Sequence, residues 1–424
     1  MQNRSLVLLL GASVWLWSPD AFSAVQSFCA TVEANFTDNG YGEDYWTTDA
    51  ERSLPGINAR VRYYPGCGTT GTSGSYTEYV STQHANSGGC VQFVATPTDA
   101  CFLFTVYTSG SPDTSNDVYA YGDTGLLGVY SYWVDPPNAG GTTYQSFGDV
   151  TRLRLYAVIA YAPSGAFRGW LGATSIHVYD SNDSAVCGCA GSGNRWCDDS
   201  GNGRICLSHS ATSEKFLVAH EYGHHNLHYT AGDWGSDCSV SNSCSGSHCM
   251  TGREFQSCAM MEGWGNFVSA DVWNDDSGTN PGGKLRYWGD CDGDSTIDIE
   301  STGNDADCVV AYMESNYSNT SWPGHATELD WMRAFWDFHT NDVAGHPGTP
   351  QSHFDLQDMF SSYLPTTSDA ERSYDLLRLG CADNLGCAEY ERIVYMADAN
   401  GADHCENDGQ ADECENVPGC TDVD

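Results

Sequence analysis

The sequence predicts a multidomain chain: an N-terminal antiparallel β-sandwich over residues 25–163, followed by an α+β domain over residues 164–398. Three observations carry this reading. A chain of 424 residues is long for one domain and comfortable for two, each large enough for its own core. From Val25 to Pro163 short β-branched and aromatic runs (ARVRYY, CVQFVA, CFLFTVY, VYSYWV, RLRLYAVIAY) alternate with turn clusters such as GTTGTSGS, and none shows helical periodicity. After about Ser164 the pattern changes to a strand-like SIHVYD, a Cys/Gly-rich loop, the strand-like GRICLSH, and then helical stretches.

Residues 1–24 have the layout of a secretory signal peptide. One positive charge at Arg4 precedes an apolar run from Leu6 to Trp17, and small residues follow at Ser23 and Ala24. The run is short for a spanning helix, so cleavage is expected over anchoring, and no membrane span is expected afterwards. Secretion, or a cell-surface or periplasmic location, follows. The 19 cysteines agree, because in an exported chain such clusters read as disulfides that pin loops. The formal net charge of -39 repels nucleic acid, which is excluded as a partner, and attracts cations. The last segment, 399–424, is an acidic Cys-containing tail.

Helices are expected after Ser213, over Cys258–Trp273, over Glu328–His339 and over Ala370–Leu379. The first carries VAHEYGHHNLHYTAG, with Ser210, Thr212 and Ser213 as candidate N-caps. His220 and His224 are four residues apart, hence on one helix face about 6 Å apart along the axis, where two imidazoles can converge on one zinc. Glu221, one residue round, is placed to take a proton from the attacking water. This is the HExxH arrangement; the bland alternative is a helix with surface histidines. His225 points about 100° away from His224, and His228 is about 12 Å along the axis from His220, so both are expected to be bystanders.

A catalytic zinc usually takes three protein ligands. Leu227 and Thr230 occupy the positions that a third histidine would need in HExxHxxGxxH. Downstream, CAMMEGWGNFVSADVW carries Glu262 on a second helix, with Gly263 and Gly265 beside it. Helical glycines cost stability, which is easier to justify where another backbone or a metal site comes close. Glu262 is therefore the candidate third ligand. Asp233 is a lower-ranked alternative.

HEYGH and MEGWGNF together resemble the gluzincin metallopeptidases, including thermolysin-like and fungalysin-like enzymes. The resemblance implies a zincin-like fold for residues 164–398, His220, His224 and Glu262 as zinc ligands, and Glu221 as general base. That group often has Asp where this chain has Asn266, hydrogen-bonded to a zinc histidine; asparagine can accept the same bond with less polarisation of the ring. GHATELDWMRAFWDF is similar to a fungalysin segment in which a histidine precedes a helix carrying Glu and Trp. His325 is thereby the candidate oxyanion donor, with Tyr317 and Tyr312 behind it, and Glu328 falls one residue early for that pattern.

DCDGDSTIDIE places Asp290, Asp292, Asp294 and Asp298 at calcium-loop positions, but Ser295 and Ser301 stand where a full EF-hand has Gly and Glu. An irregular calcium site and a merely acidic loop both remain open. The combined expectation is an exported endopeptidase acting on protein or peptide substrates through a zinc-activated water. The strand at Gly203–His209 is expected to be the edge against which substrate lies. The rival from another class is a non-catalytic, calcium-binding surface or adhesion protein, which leaves Glu221 unexplained.

Overall fold

The computed structural model describes residues 24–38, 51–64, 76–95, 101–112, 117–134, 141–161, 175–190, 194–199, 202–231, 256–274, 284–286, 310–312 and 328–340, with a few single positions beyond 350. Residues 1–23 of the expected signal peptide, the helix expected at Ala370–Leu379 and the acidic tail lie outside the described residues. The protein is mixed α/β with two large sheets.

The smaller sheet joins β1 (Ala24–Glu33) to β2 (Glu51–Ser53), β5 (Cys90–Ala95) and β9 (Gly141–Ser146). The larger holds β3 (Ile57–Tyr63), β4 (Thr77–His84), β6 (Phe102–Gly110), β7 (Val118–Tyr121), β8 (Val129–Val134), β10 (Ile176–Tyr179), β11 (Arg195–Asp199) and β12 (Asn202–Cys206). Strict alternation buries one face of β5, whereas β6 is covered on both faces and reads as a continuous apolar run. The sheets meet through aromatic rings: Phe28 lies 5.7 Å from Phe104 and 5.8 Å from Phe102, centroid to centroid. Cys29–Cys90 cross-links β1 to β5, and Cys101 is disulfide-bonded as well.

Two expectations need correction. The sandwich is not purely antiparallel, because β1 and β9 pair in parallel, as do β7 with β10 and β10 with β12. RLRLYAVIAY is not a strand but lies in helix α1 (Thr151–Tyr161), buried at every position from Leu153 to Ala160. A helix covered all round needs no polar face, so it loses the periodicity by which a surface helix is recognised. Its β-branched Val158 and Ile159 then imitate a strand. Arg154 in this helix pairs with Asp149 at 2.8 Å and donates to the Asn35 carbonyl, tying α1 to the chain after β1.

The larger sheet runs across the boundary expected at Pro163. β7 from one side pairs with β10 from the other, in register Ile176 to Val118 and Val178 to Ala120. One apolar core likewise runs from Phe28 through α1 to the helices described next. The buried face of β7, β10 and β12 is built from Val118, Ala120, Ile176, Val178 and Ile205. Outward from it, Tyr121 stacks on Tyr179 at 4.5 Å and on His177 at 5.5 Å.

Three helices follow: α3 (Lys215–Ala231), α4 (Gln256–Trp273) and α5 (Glu328–Thr340), α3 being preceded by a short helix α2 (Ser184–Cys187) in the Cys/Gly-rich loop. Disulfides Cys187–Cys206 and Cys189–Cys197 clamp that loop to the hairpin of β11 and β12. Among the described residues no helix is long and apolar enough to cross a membrane.

Candidate metal centre

The amides that open α3 find their acceptor far away in sequence. Lys215 and Phe216 donate their backbone N–H groups to the two carboxylate oxygens of Asp38, each at 3.0 Å. Thr37 adds two bonds to the Ser213 carbonyl, at 2.8 Å from its amide and 3.1 Å from its hydroxyl. The local cap expected from Ser210, Thr212 or Ser213 is thus superseded: those residues form or precede a 3-10 turn, Ala211–Ser213, and Ser210 makes no side-chain cap bond. An anionic cap also suits the positive end of the helix dipole. The last turns of α4 hold the same end of α3, through Ser269 Oγ to the Phe216 carbonyl at 2.7 Å and Trp273 Nε1 to the Lys215 carbonyl at 3.2 Å.

Further along, α3 and α4 cross where neither has a side chain. A Cβ on Gly223 would lie 2.8 Å from Gly265 Cα, and one on Gly265 would lie 2.8 Å from the His220 ring. Gly263 serves a different neighbour, since its Cβ would meet the Glu328 carbonyl at 2.8 Å and Trp331 Cβ at 2.5 Å on α5. Each glycine of EGWGN therefore admits one packed partner, and Trp264 between them fills the core at 1% exposure.

At this crossing three side chains converge. His220 Nε2 lies 3.0 Å from Glu262 Oε2, His224 Nε2 lies 3.3 Å from the same oxygen, and the three ligand atoms are all within 4.8 Å of one another. The two rings are perpendicular, with centroids 4.5 Å apart. Ligand atoms about 2.0–2.1 Å from one tetrahedral zinc are about 3.3 Å from each other, so both contacts to Glu262 fit that coordination edge. The donor set, two imidazoles and one carboxylate, is also one that zinc accepts at a catalytic site. All three are buried, as is Glu221 at 4% exposure. Burial, and then the neighbouring His224, push His220 down to about 4, so its ring is neutral at ordinary pH.

Asn266 Oδ1 faces His220 Nδ1 at 2.9 Å. Behind it, Asn266 Nδ2 donates to Glu328 Oε2 at 3.4 Å, and neither residue is exposed. Asp38 and Glu328 are the two residues that sequence reasoning did not assign. Asp38 carries no local signal, and Glu328 was visible only as a glutamate one residue out of place.

His225 and His228 pack against β11 and β12. A Cβ on Gly203 would meet His225 Nδ1 at 2.0 Å, and the His228 ring lies 4.7 Å from Trp196. One further expectation is overturned here. The strand at Gly203–His209 is not an edge, because β12 lies between β10 and β11, and β11 is the terminal strand of that end of the sheet among the described residues. His325, Asp233 and the acidic loop with Asp290, Asp292, Asp294 and Asp298 lie outside the described residues.

Residues 176–313 match the family model of the mycolysin C-terminal domain. The matched stretch opens with β10 and takes in all of α3 and α4, hence all three converging side chains. That domain is found in secreted zinc metallopeptidases of the thermolysin and mycolysin type, which supports a protease, with a metal cofactor, at the level of class. No curated protein matches the chain.

Proposed function

We propose that this chain is an exported zinc endopeptidase of the gluzincin type, with His220, His224 and Glu262 as ligands. The observation that carries the reading is the convergence of those three buried side chains at tetrahedral-edge distances within a segment that matches a metallopeptidase domain. A bound zinc would supply Lewis acidity to the attacking water and to the scissile carbonyl.

The rest of the chemistry belongs to the chain. Glu221, beside the cluster and almost fully buried, takes the proton of the attacking water and passes it to the departing amine. His325 remains the candidate donor to the developing oxyanion. Substrate lies along β11, the terminal strand of that end of the sheet among the described residues, which packs beside α3 through Trp196. The irregular acidic loop, Asp290 to Asp298, stays a candidate calcium site.

Zinc stoichiometry and casein hydrolysis, measured on the wild type and on Glu221→Gln, test the reading. One zinc in both proteins with hydrolysis by the wild type alone is the expected result. Zinc in neither protein would remove the metal assignment and favour the calcium-binding surface protein.

A further inference from the structure

We infer that Glu328 is a positioning residue of the metal centre: by holding the Asn266 amide in one orientation, it fixes which nitrogen of His220 carries the proton. The inference rests on the proposed metal site, but its geometry is independent of any ion.

A neutral imidazole has one N–H and one lone pair. For Nε2 to offer its lone pair to a metal, the proton must sit on Nδ1, and Nδ1–H needs an acceptor. In this structure both nitrogens face an acceptor, with Asn266 Oδ1 at 2.9 Å from Nδ1 and Glu262 Oε2 at 3.0 Å from Nε2. One proton cannot serve both. The Nε2–H form, bonded to Glu262, is therefore a competing arrangement that blocks the ligand.

What decides between them is the amide. An asparagine side chain can turn over, exchanging an acceptor for a donor at almost the same place. Turned, Asn266 would aim its NH2 at Nδ1, and the proton would move to Nε2. Glu328 opposes this because its Oε2 accepts from Asn266 Nδ2, which leaves Oδ1 facing His220. A turned amide would instead place Oδ1 against a carboxyl oxygen in a site where both residues are fully buried.

The packing holds Glu328 at the right height. Gly263 lets the Glu328 backbone approach α4 closely, and Gly263 and Asn266, three residues apart, lie on one face of that helix. Glu262 and Asn266, four apart, face the two nitrogens of the same ring. Where a related site has a carboxylate directly on the histidine, this chain has an amide there and the carboxyl group one step further out.

The test is the tautomer of His220 in metal-free protein, read by histidine-selective 15N NMR with the signal assigned through His220→Gln, together with zinc affinity by chelator competition. Wild type is expected to be the Nδ1–H form. Glu328→Met removes the acceptor; it should give mixed tautomers and a zinc affinity lowered about 10- to 100-fold. Glu328→Gln can still accept through its amide oxygen and should stay within about threefold of wild type.

The deciding variant combines Glu328→Met with Asn266→Asp. An aspartate presents an acceptor whichever way it turns, so the Nδ1–H form and most of the affinity should return. Loss caused only by damaged packing at position 328 would not be rescued in this way. A wild-type tautomer and affinity in Glu328→Met would overturn the inference, as would failure of the double variant to restore them. If wild type binds no zinc, the proposed function fails, while the tautomers still decide the role of Glu328.

Discussion

Replacing Asp38 with alanine removes both acceptors of the first α3 amides without touching any residue near the metal cluster. Asp38 is 1% exposed and the two bonds are 3.0 Å each, so water cannot readily replace the carboxylate. Loss of an N-cap costs about 0.5–2 kcal/mol, and a buried donor left without an acceptor about 1–3 kcal/mol. The two effects overlap, which puts Asp38→Ala at about 3 kcal/mol. At about 2–4 °C per kcal/mol for a folding unit of this size, Tm should fall by about 6–12 °C. Asp38→Asn keeps one acceptor oxygen and should lose about half as much. Calorimetry gives the first number. Hydrogen exchange locates the loss, because the amides of Lys215 and Phe216 should lose protection before the middle of the helix does. If both variants melt within about 1 °C of wild type with those amides still protected, the distant cap is not what holds the start of this helix.

Three further outcomes follow from the same geometry. Gly265→Ala puts a methyl group 2.8 Å from the His220 ring, so zinc affinity should fall at least about tenfold, while better helix propensity keeps stability within about 1 kcal/mol of wild type; competition titration and melting on one preparation would separate the two. Gly263→Ala meets α5 backbone instead and should lower stability by about 1–3 kcal/mol, which unchanged melting would contradict. In metal-free protein, His220 is held near 4 when folded against an ordinary 6.5. The unfolded chain then binds more protons between those values, so stability should rise with pH by about 3 kcal/mol from about pH 4 to 6.5 and level off above. Denaturant titrations of metal-free wild type and His220→Gln across that range check it; an equal slope in both would exclude His220 as the source.

The convergence of His220, His224 and Glu262 was legible in part because its geometry is local. Two histidines four apart must share a helix face, and the glycines flanking Glu262 announced a close neighbour, which proved to be α5 for Gly263 and the His220 ring for Gly265. What escaped were relations between distant segments. A cap supplied from 177 residues upstream leaves no trace beside the helix it caps. From sequence β12 reads as an edge because its hairpin partner, RWCDD, is hidden in a Cys/Gly-rich stretch that resembles a loop. The burial of α1 erased the amphipathic pattern that would have identified it. Glu328 was half visible, since its position is set by how α5 docks on Gly263 and not by spacing from its own neighbours.

The parallel pairing of β10 with β7, across residues expected to separate two units, has a consequence for how the molecule is made. A chain emerges from its N-terminus, and what emerges first can fold first. The early strands therefore form the mould on which β10 and β12 are later laid. The half that carries His220, His224 and Glu262 is cast against its older neighbour, in the order of synthesis.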